Sequence, residues 1–303
     1  MLYVCDSIAG LIVVDVTQNM PTFVSRPVMP VSANAISIFG NLAGVVGTRV
    51  YHSSPNVRTN QNGFYLYDIL NPSHPDLIGK IETTAFLFKD VHIVGNYAYL
   101  ACHNAGLKIA DLSNPSNPQI INTFDTPGSA YGVKVVNNYA YVADFTKGLR
   151  ILDISNPLNI VDVGTVDTPN GNVDLAIEGN YAYLADNTSL KIIDITNKSN
   201  PIIVGSYTTT ALKIKVLNKI VYLAGGGIGL VIIDANNPSN PVLLSSIFAG
   251  GGPKASTSGM AVTTTRAYVA QYDGGIGVID ITNNSSPVLI GSLLSYGEIM
   301  NAI

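Results

Sequence analysis

The sequence predicts an all-β protein: a seven-bladed β-propeller of four-stranded antiparallel blades, its ring closed by a C-terminal strand that completes blade 1. Three observations lead there. One short unit ending in aspartate recurs seven times. Four β-rich runs with turn residues between them fill each repeat. The two chain ends each carry a part of the same blade.

The unit is Gly-apolar-any-apolar-apolar-Asp, as in Gly106-Leu107-Lys108-Ile109-Ala110-Asp111. It recurs at Gly10–Asp15, Gly63–Asp68, Gly148–Asp153, Gly229–Asp234 and Gly275–Asp280, and with Ser for Gly at Ser189–Asp194. The aspartates Asp15, Asp68, Asp111, Asp153, Asp194, Asp234 and Asp280 are spaced by 53, 43, 42, 41, 40 and 46 residues. A Tyr-Ala-Tyr run precedes the unit, as in Tyr97-Ala98-Tyr99-Leu100-Ala101 and Tyr139-Ala140-Tyr141-Val142-Ala143. Asn-Pro turns follow it, as in Asn114-Pro115 and Asn237-Pro238, and then another apolar run. Val, Ile, Leu and Tyr dominate the runs and no 3.6-residue period survives, so these are strands. A period near 42 with four strands is that of propeller blades. The strands of a blade are named a, b, c and d from the channel outward. Each is apolar on both faces because each blade is sandwiched between two others.

These elements give one domain over residues 1–303. Blade 1 takes residues 1–25 plus 297–303, and the others about 34–79, 88–123, 131–166, 172–207, 212–247 and 258–294. The chain begins at a strand b, and the segment from Glu298 to Ile303 resembles the start of a strand a. That segment supplies the missing inner strand of blade 1 and removes an exposed sheet edge. The stop at Ile303 leaves open a longer natural chain.

The runs Leu11-Ile12-Val13-Val14-Asp15, Leu190-Lys191-Ile192-Ile193-Asp194 and Leu230-Val231-Ile232-Ile233-Asp234 make the chain resemble the LVIVD-repeat family of β-propellers. Phe64-Tyr65-Leu66-Tyr67-Asp68 is the most divergent copy. The resemblance implies the fold and a bacterial or archaeal protein, often surface-associated, with no settled activity.

Composition narrows the function. Charged residues are 12% of the chain and the net charge is −4. No basic run offers the positive field that replaces phosphate counterions, so nucleic acid is not expected as a partner. No run of 18 apolar residues predicts a membrane span, and no signal peptide is visible at Met1. Low charge with Asn/Thr-rich loops suits an extracellular or cell-surface protein. Cys5 and Cys102 fall in blades that are not neighbours, so no disulfide is expected. No cofactor is expected.

Each repeated residue type has a structural role to fill. The seven aspartates end strand c just before a turn, where a carboxylate can accept backbone N–H bonds. The tyrosines of strand b read as packing. His52, His74, His92 and His103 form no HxH or HExxH pair, so no metal is assigned. No GxSxG elbow is present. Gly225-Gly226-Gly227-Ile228-Gly229 joins two strands and lacks the lysine and helix of a phosphate loop.

Function is expected where the repeat is interrupted. About four residues link strand b to strand c in most blades. Blade 2 carries Tyr51 to Asn62 instead, and Ala249 to Ser256 precedes strand a of blade 7. Both insertions belong to one arc of one face. The expected contact surface there comprises His52, Asn56, Arg58 and Lys254, with Asp6, Tyr272 and Asp273 nearby. The reading is a non-catalytic binding or scaffold protein that contacts a protein or glycan through these loops. The alternative is a hydrolase or lyase, metal-dependent or not, at the channel mouth. It would use Asp90, His92 and Asp174, with Glu298 as a further carboxylate.

Overall fold

A computed structural model describes the chain except residues 7–9, 28, 30–31, 55–56, 169, 172, 226–228, 249–256, 272–274, 294–298 and 303. Every regular element among the described residues is a strand. The strands form seven sheets of four, each antiparallel. Blade 3 shows the plan: a Asp90–Val94, b Tyr97–Ala101, c Leu107–Asp111 and d Gln119–Phe124. Blades 4 to 7 repeat it, from Gly132–Val136 in blade 4 to Val288–Leu293 in blade 7. In blade 2 strand a starts at Ser32 and strand d ends at Thr83, so its pairing runs longer than the repeat period implies.

Blade 1 is closed by the far end of the chain. Ile299–Ala302 pairs antiparallel with Leu2–Asp6, which pairs with Gly10–Asp15 and then Thr22–Ser25. The ring is therefore joined within a sheet rather than only by blade-to-blade packing.

The core is divided as a propeller requires, with one apolar cluster between each pair of neighbouring blades. Ala101, Leu107 and Ile109 of blade 3 pack on Val133, Val135 and Leu152 of blade 4. Leu2, Val4 and Val14 of blade 1 pack on Tyr268, Ala270 and Val278 of blade 7, which completes the circle. Tyr99, Tyr141, Tyr183 and Tyr222 are buried in these seams, as expected of strand b.

All seven aspartates terminate strand c as Asx turns. Asp15, Asp68, Asp111, Asp153, Asp194, Asp234 and Asp280 each accept the backbone N–H two residues on, at 2.8–2.9 Å. Those bonds hold the carboxyls of Asp15, Asp111, Asp153, Asp194 and Asp280 below the usual carboxylate range. The following Asn repeats the device: Asn71, Asn156, Asn197 and Asn283 accept the N–H two residues on, at 3.1–3.2 Å.

A seam contact that the repeat pattern did not announce recurs midway along strand d. There a one-residue bulge leaves Ser25, Gly79, Asn122, Gly164, Gly205, Ser245 or Gly291 facing the next blade. The polar side chains donate to a carbonyl of that blade's c–d link: Ser25 to Pro72 at 2.6 Å, Asn122 to Pro157 at 2.9 Å, Ser245 to Asn284 at 2.6 Å. At the glycines the same link comes so close that a Cβ on Gly205 would lie 1.9 Å from the Pro238 carbonyl oxygen.

Cys5 and Cys102 are buried in different clusters, Cys5 between blades 1 and 2 and Cys102 between blades 2 and 3. Among the described residues no helix is long and apolar enough to cross a membrane.

Candidate functional site: the channel and the loop-bearing face

Antiparallel register fixes which links share a face. Asp90 opens strand a opposite Ala101, the end of strand b, and Leu107 opens strand c opposite both Ala101 and Phe124, the end of strand d. The b–c and d–a links therefore emerge together.

The blade 2 insertion is not a loop. Strand b runs Leu42–Ser54 and strand c runs Val57–Asp68. Pairing continues from Gly47↔Gly63 through Tyr51↔Thr59 and His52↔Arg58 to Ser54↔Val57. The reason lies in the residues: Arg49-Val50-Tyr51 and Val57-Arg58-Thr59 are strand formers around Pro55-Asn56, a turn pair. At ~3.3 Å per residue the hairpin extends roughly 20 Å beyond the end of an ordinary strand b. The structure thus places His52 and Arg58 opposite each other at the outer end of this arm. Asp6 ends strand b of blade 1 on the same face. Asn56, Lys254, Tyr272 and Asp273 lie outside the described residues, as does Glu298.

Asp90, His92 and Asp174 do come together. With Ser37, Lys134, Lys213 and Lys215 they line a cavity of about 140 Å³ in the channel. Every lining residue comes from the first three aligned positions of a strand a, so the cavity lies in the half of the channel nearer the hairpin face. Strand a is the inner edge of its sheet, and its outward N–H groups have no ladder partner. The preceding blade supplies one. Ser37 Oγ accepts the Ile93 N–H at 2.9 Å, Asp90 Oδ2 the Val133 N–H at 3.0 Å, and His92 Nδ1 the Val135 N–H at 2.7 Å. Asp174 Oδ2 accepts the Ile214 N–H at 3.1 Å, and its Oδ1 accepts the Leu175 N–H at 2.9 Å. Glu178 takes the N–H groups of Asn218 and Lys219.

Charge follows this geometry. Lys134 Nζ lies 2.9 Å from Asp90 Oδ2. Burial opposes charge on both, but their mutual attraction prevails: the Asp90 carboxyl is held down and the Lys134 ammonium up. Burial, reinforced by Lys134, pulls the His92 imidazolium down to about 4, so His92 is neutral at pH 7. Burial and Lys134 also pull Lys215 below the usual lysine range. Among the described residues no three His, Cys, Asp or Glu side chains converge to hold a metal.

Two further features of this face escaped sequence reasoning. Buried Asp144 and Asp186 follow strand b in blades 4 and 5. Asp144 accepts from Thr126 Oγ1 at 2.7 Å and the Gly128 N–H at 3.0 Å, and Arg150 lies 3.5 Å away. Asp186 accepts from Ser189 Oγ at 2.7 Å. The recurring Ala-Asp after Tyr141 and Tyr183 was the available signal. The second feature is an aromatic row: His103 meets Tyr131 edge-on at 5.2 Å, and Tyr131 stacks on Phe145 at 5.0 Å. His103 and Phe145 sit at φ 49° and 47°, a left-handed conformation that costs non-glycine residues about 1 kcal/mol.

A ring of four-stranded blades with links of unequal length on one face defines a β-propeller, a fold used widely as a frame for binding. The family is more specific: the LVIVD repeat model matches residues 57–83, 88–126, 127–168, 171–209, 210–248 and 256–295, and the chain belongs to the LVIVD repeat family. No curated protein matches the chain. Among solved structures, the computationally designed Ika8 protein is similar with a TM-score of 0.60 and 10% identity, over 89% of this chain and 77% of that one. At that identity the likeness concerns the fold alone.

Proposed function

We propose that this protein is a non-catalytic binding scaffold of the cell surface or extracellular space, which engages a protein or glycan through the face bearing the blade 2 hairpin. The supporting observation is the hairpin itself. Among the described residues its outer half pairs only with itself, from Arg49↔Gln61 to Ser54↔Val57, beyond the last rungs shared with strand a at Ser32↔Thr48 and with strand d at Asn62↔Thr83. The ring needs no such arm, and a rigid frame lowers the ordering cost of contacts made by it. Hydrolase or lyase chemistry at Asp90, His92 and Asp174 has less support, because backbone amides already occupy most of their acceptor atoms.

The test is to replace residues 49–61 with a four-residue link of the kind found in blade 3. The variant is expected to melt within a few degrees of the wild type, and to lose binding on a glycan array and cross-linked capture from native extract. Undiminished binding by the variant sinks the proposal.

A further inference from the structure

The polar groups of the channel cavity are unevenly matched. Both oxygens of Asp174 and one of Asp90 accept backbone N–H bonds, and that Asp90 oxygen also accepts from Lys134. His92 accepts at Nδ1, so the hydrogen of the neutral ring sits on Nε2. Ser37 Oγ accepts the Ile93 N–H, which leaves its O–H to donate. Lys213 and Lys215 line the same cavity, and among the described residues neither forms an ion pair. The spare capacity is therefore almost all donor: two ammonium groups, a hydroxyl and an imidazole N–H. Among the described lining residues, three lysines against two carboxylates leave one positive charge in excess.

We propose that this cavity binds a small oxyanion of the phosphate or sulfate kind, held between Lys213 and Lys215, with Ser37 and His92 as hydrogen-bond donors. A ligand rich in acceptors and lacking donors is the complement of such a lining. An anion offsets the charge excess that burial makes costly. A divalent cation would face three ammonium groups, with most carboxylate oxygens already engaged. About 140 Å³ accommodates a small polyatomic anion and some of its hydration. Lys134 stays paired with Asp90 and sets the positive field without needing to touch the ligand.

Calorimetry of the full chain at constant ionic strength, with chloride exchanged for inorganic phosphate or sulfate, provides the test. The wild type is expected to gain roughly 2–5 °C in a saturable manner. Lys213→Met and Lys215→Met should each lose most of that gain, and Lys147→Met, at an exposed site, should keep it. In chloride Lys215→Met should melt no lower than the wild type, since it removes an unpaired charge. A second measurement needs no variant: phosphate should slow carbamylation of Lys215 by cyanate several-fold, read by peptide mass spectrometry. An equal phosphate gain in the Lys213 and Lys215 variants, or a Lys215 labelling rate indifferent to phosphate, overturns the proposal.

Discussion

Single residues at the seams carry the geometry of this ring. Gly205 sits at the strand d bulge of blade 5, and any Cβ there meets the Pro238 carbonyl at 1.9 Å. The backbone of blade 6 must shift to admit even alanine. Gly205→Ala is expected to destabilise by about 2–3 kcal/mol, in the range of overpacking substitutions. Urea denaturation measures this, and a change below half a kcal/mol would show that the seam is slack. His92 provides a second residue-scale prediction. Its pKa falls from 6.5 in the unfolded chain to about 4 in the fold. The unfolded state then binds more protons between those values, so stability is full above pH 6.5 and declines as pH falls toward 4. The decline is at most about 3 kcal/mol, less for solvent screening. Asp90, Lys134 and Lys215 share the cavity, and Lys134, held above its ordinary value, keeps its charge throughout that window. His92→Gln keeps an acceptor for Val135 while removing the titration. Its unfolding free energy should vary less between pH 6.5 and 4.5 than that of the wild type, and identical profiles would assign the acid sensitivity elsewhere.

Elements were legible to the degree that their stabilising contacts are local. Strand c, the Asx turn and the Asn turn lie within a dozen residues, so Asp111 and Asn114 disclosed both blade count and turn chemistry. Contacts between blades carry no such signal. The sequence placed Asp90, His92 and Asp174 together at the channel mouth, but did not show that they cap amides of the next blade some forty residues on. Lys213 went unremarked because the cavity assembles from strands a of different blades. Blade 2 was misread as a loop because its interruption of the repeat was weighed above its local strand propensity. The hairpin yields an element-scale prediction. Its outer rungs lie beyond the ladders with strand a and strand d that flank Val46 and Phe64. Amide hydrogens of residues 49–60 should therefore exchange orders of magnitude faster than those of Leu66 and Tyr67. Equal protection would mean that something else covers the arm.

At the scale of the molecule, the question is whether the break in blade 1 matters to the fold. Sheet pairing of Ala302 with Val4, the seam of Leu2 and Val4 on Tyr268 and Val278, and the Arg266 guanidinium on the Val16 carbonyl at 3.1 Å and Asn19 Oδ1 at 2.9 Å bind blade 7 to blade 1. These are the same kinds of contact that join blades with no chain break, so the closure should be as tight as any other seam. Its position can then be moved. Val4 pairs with Ala302 as Leu100 pairs with Val91, and eight residues separate the latter pair. Ile303 with Met1, Leu2 and Tyr3 supply four of the eight, so about four added residues should complete an ordinary a–b turn between the old termini. A permutant joined in this way and opened between Gly95 and Asn96, in the exposed a–b turn of blade 3 where nothing packs on Gly95, should fold with a single cooperative transition, since new ends are tolerated in such surface backbone. Its melting temperature should fall by only a few degrees. A chain truncated after residue 298 without permutation loses the pairing of Val4, Cys5 and Asp6 and should fall much further, with increased binding of a hydrophobic dye. If both behave alike, the terminal strand contributes nothing that blade packing does not already provide, and the ring is held by its seams alone.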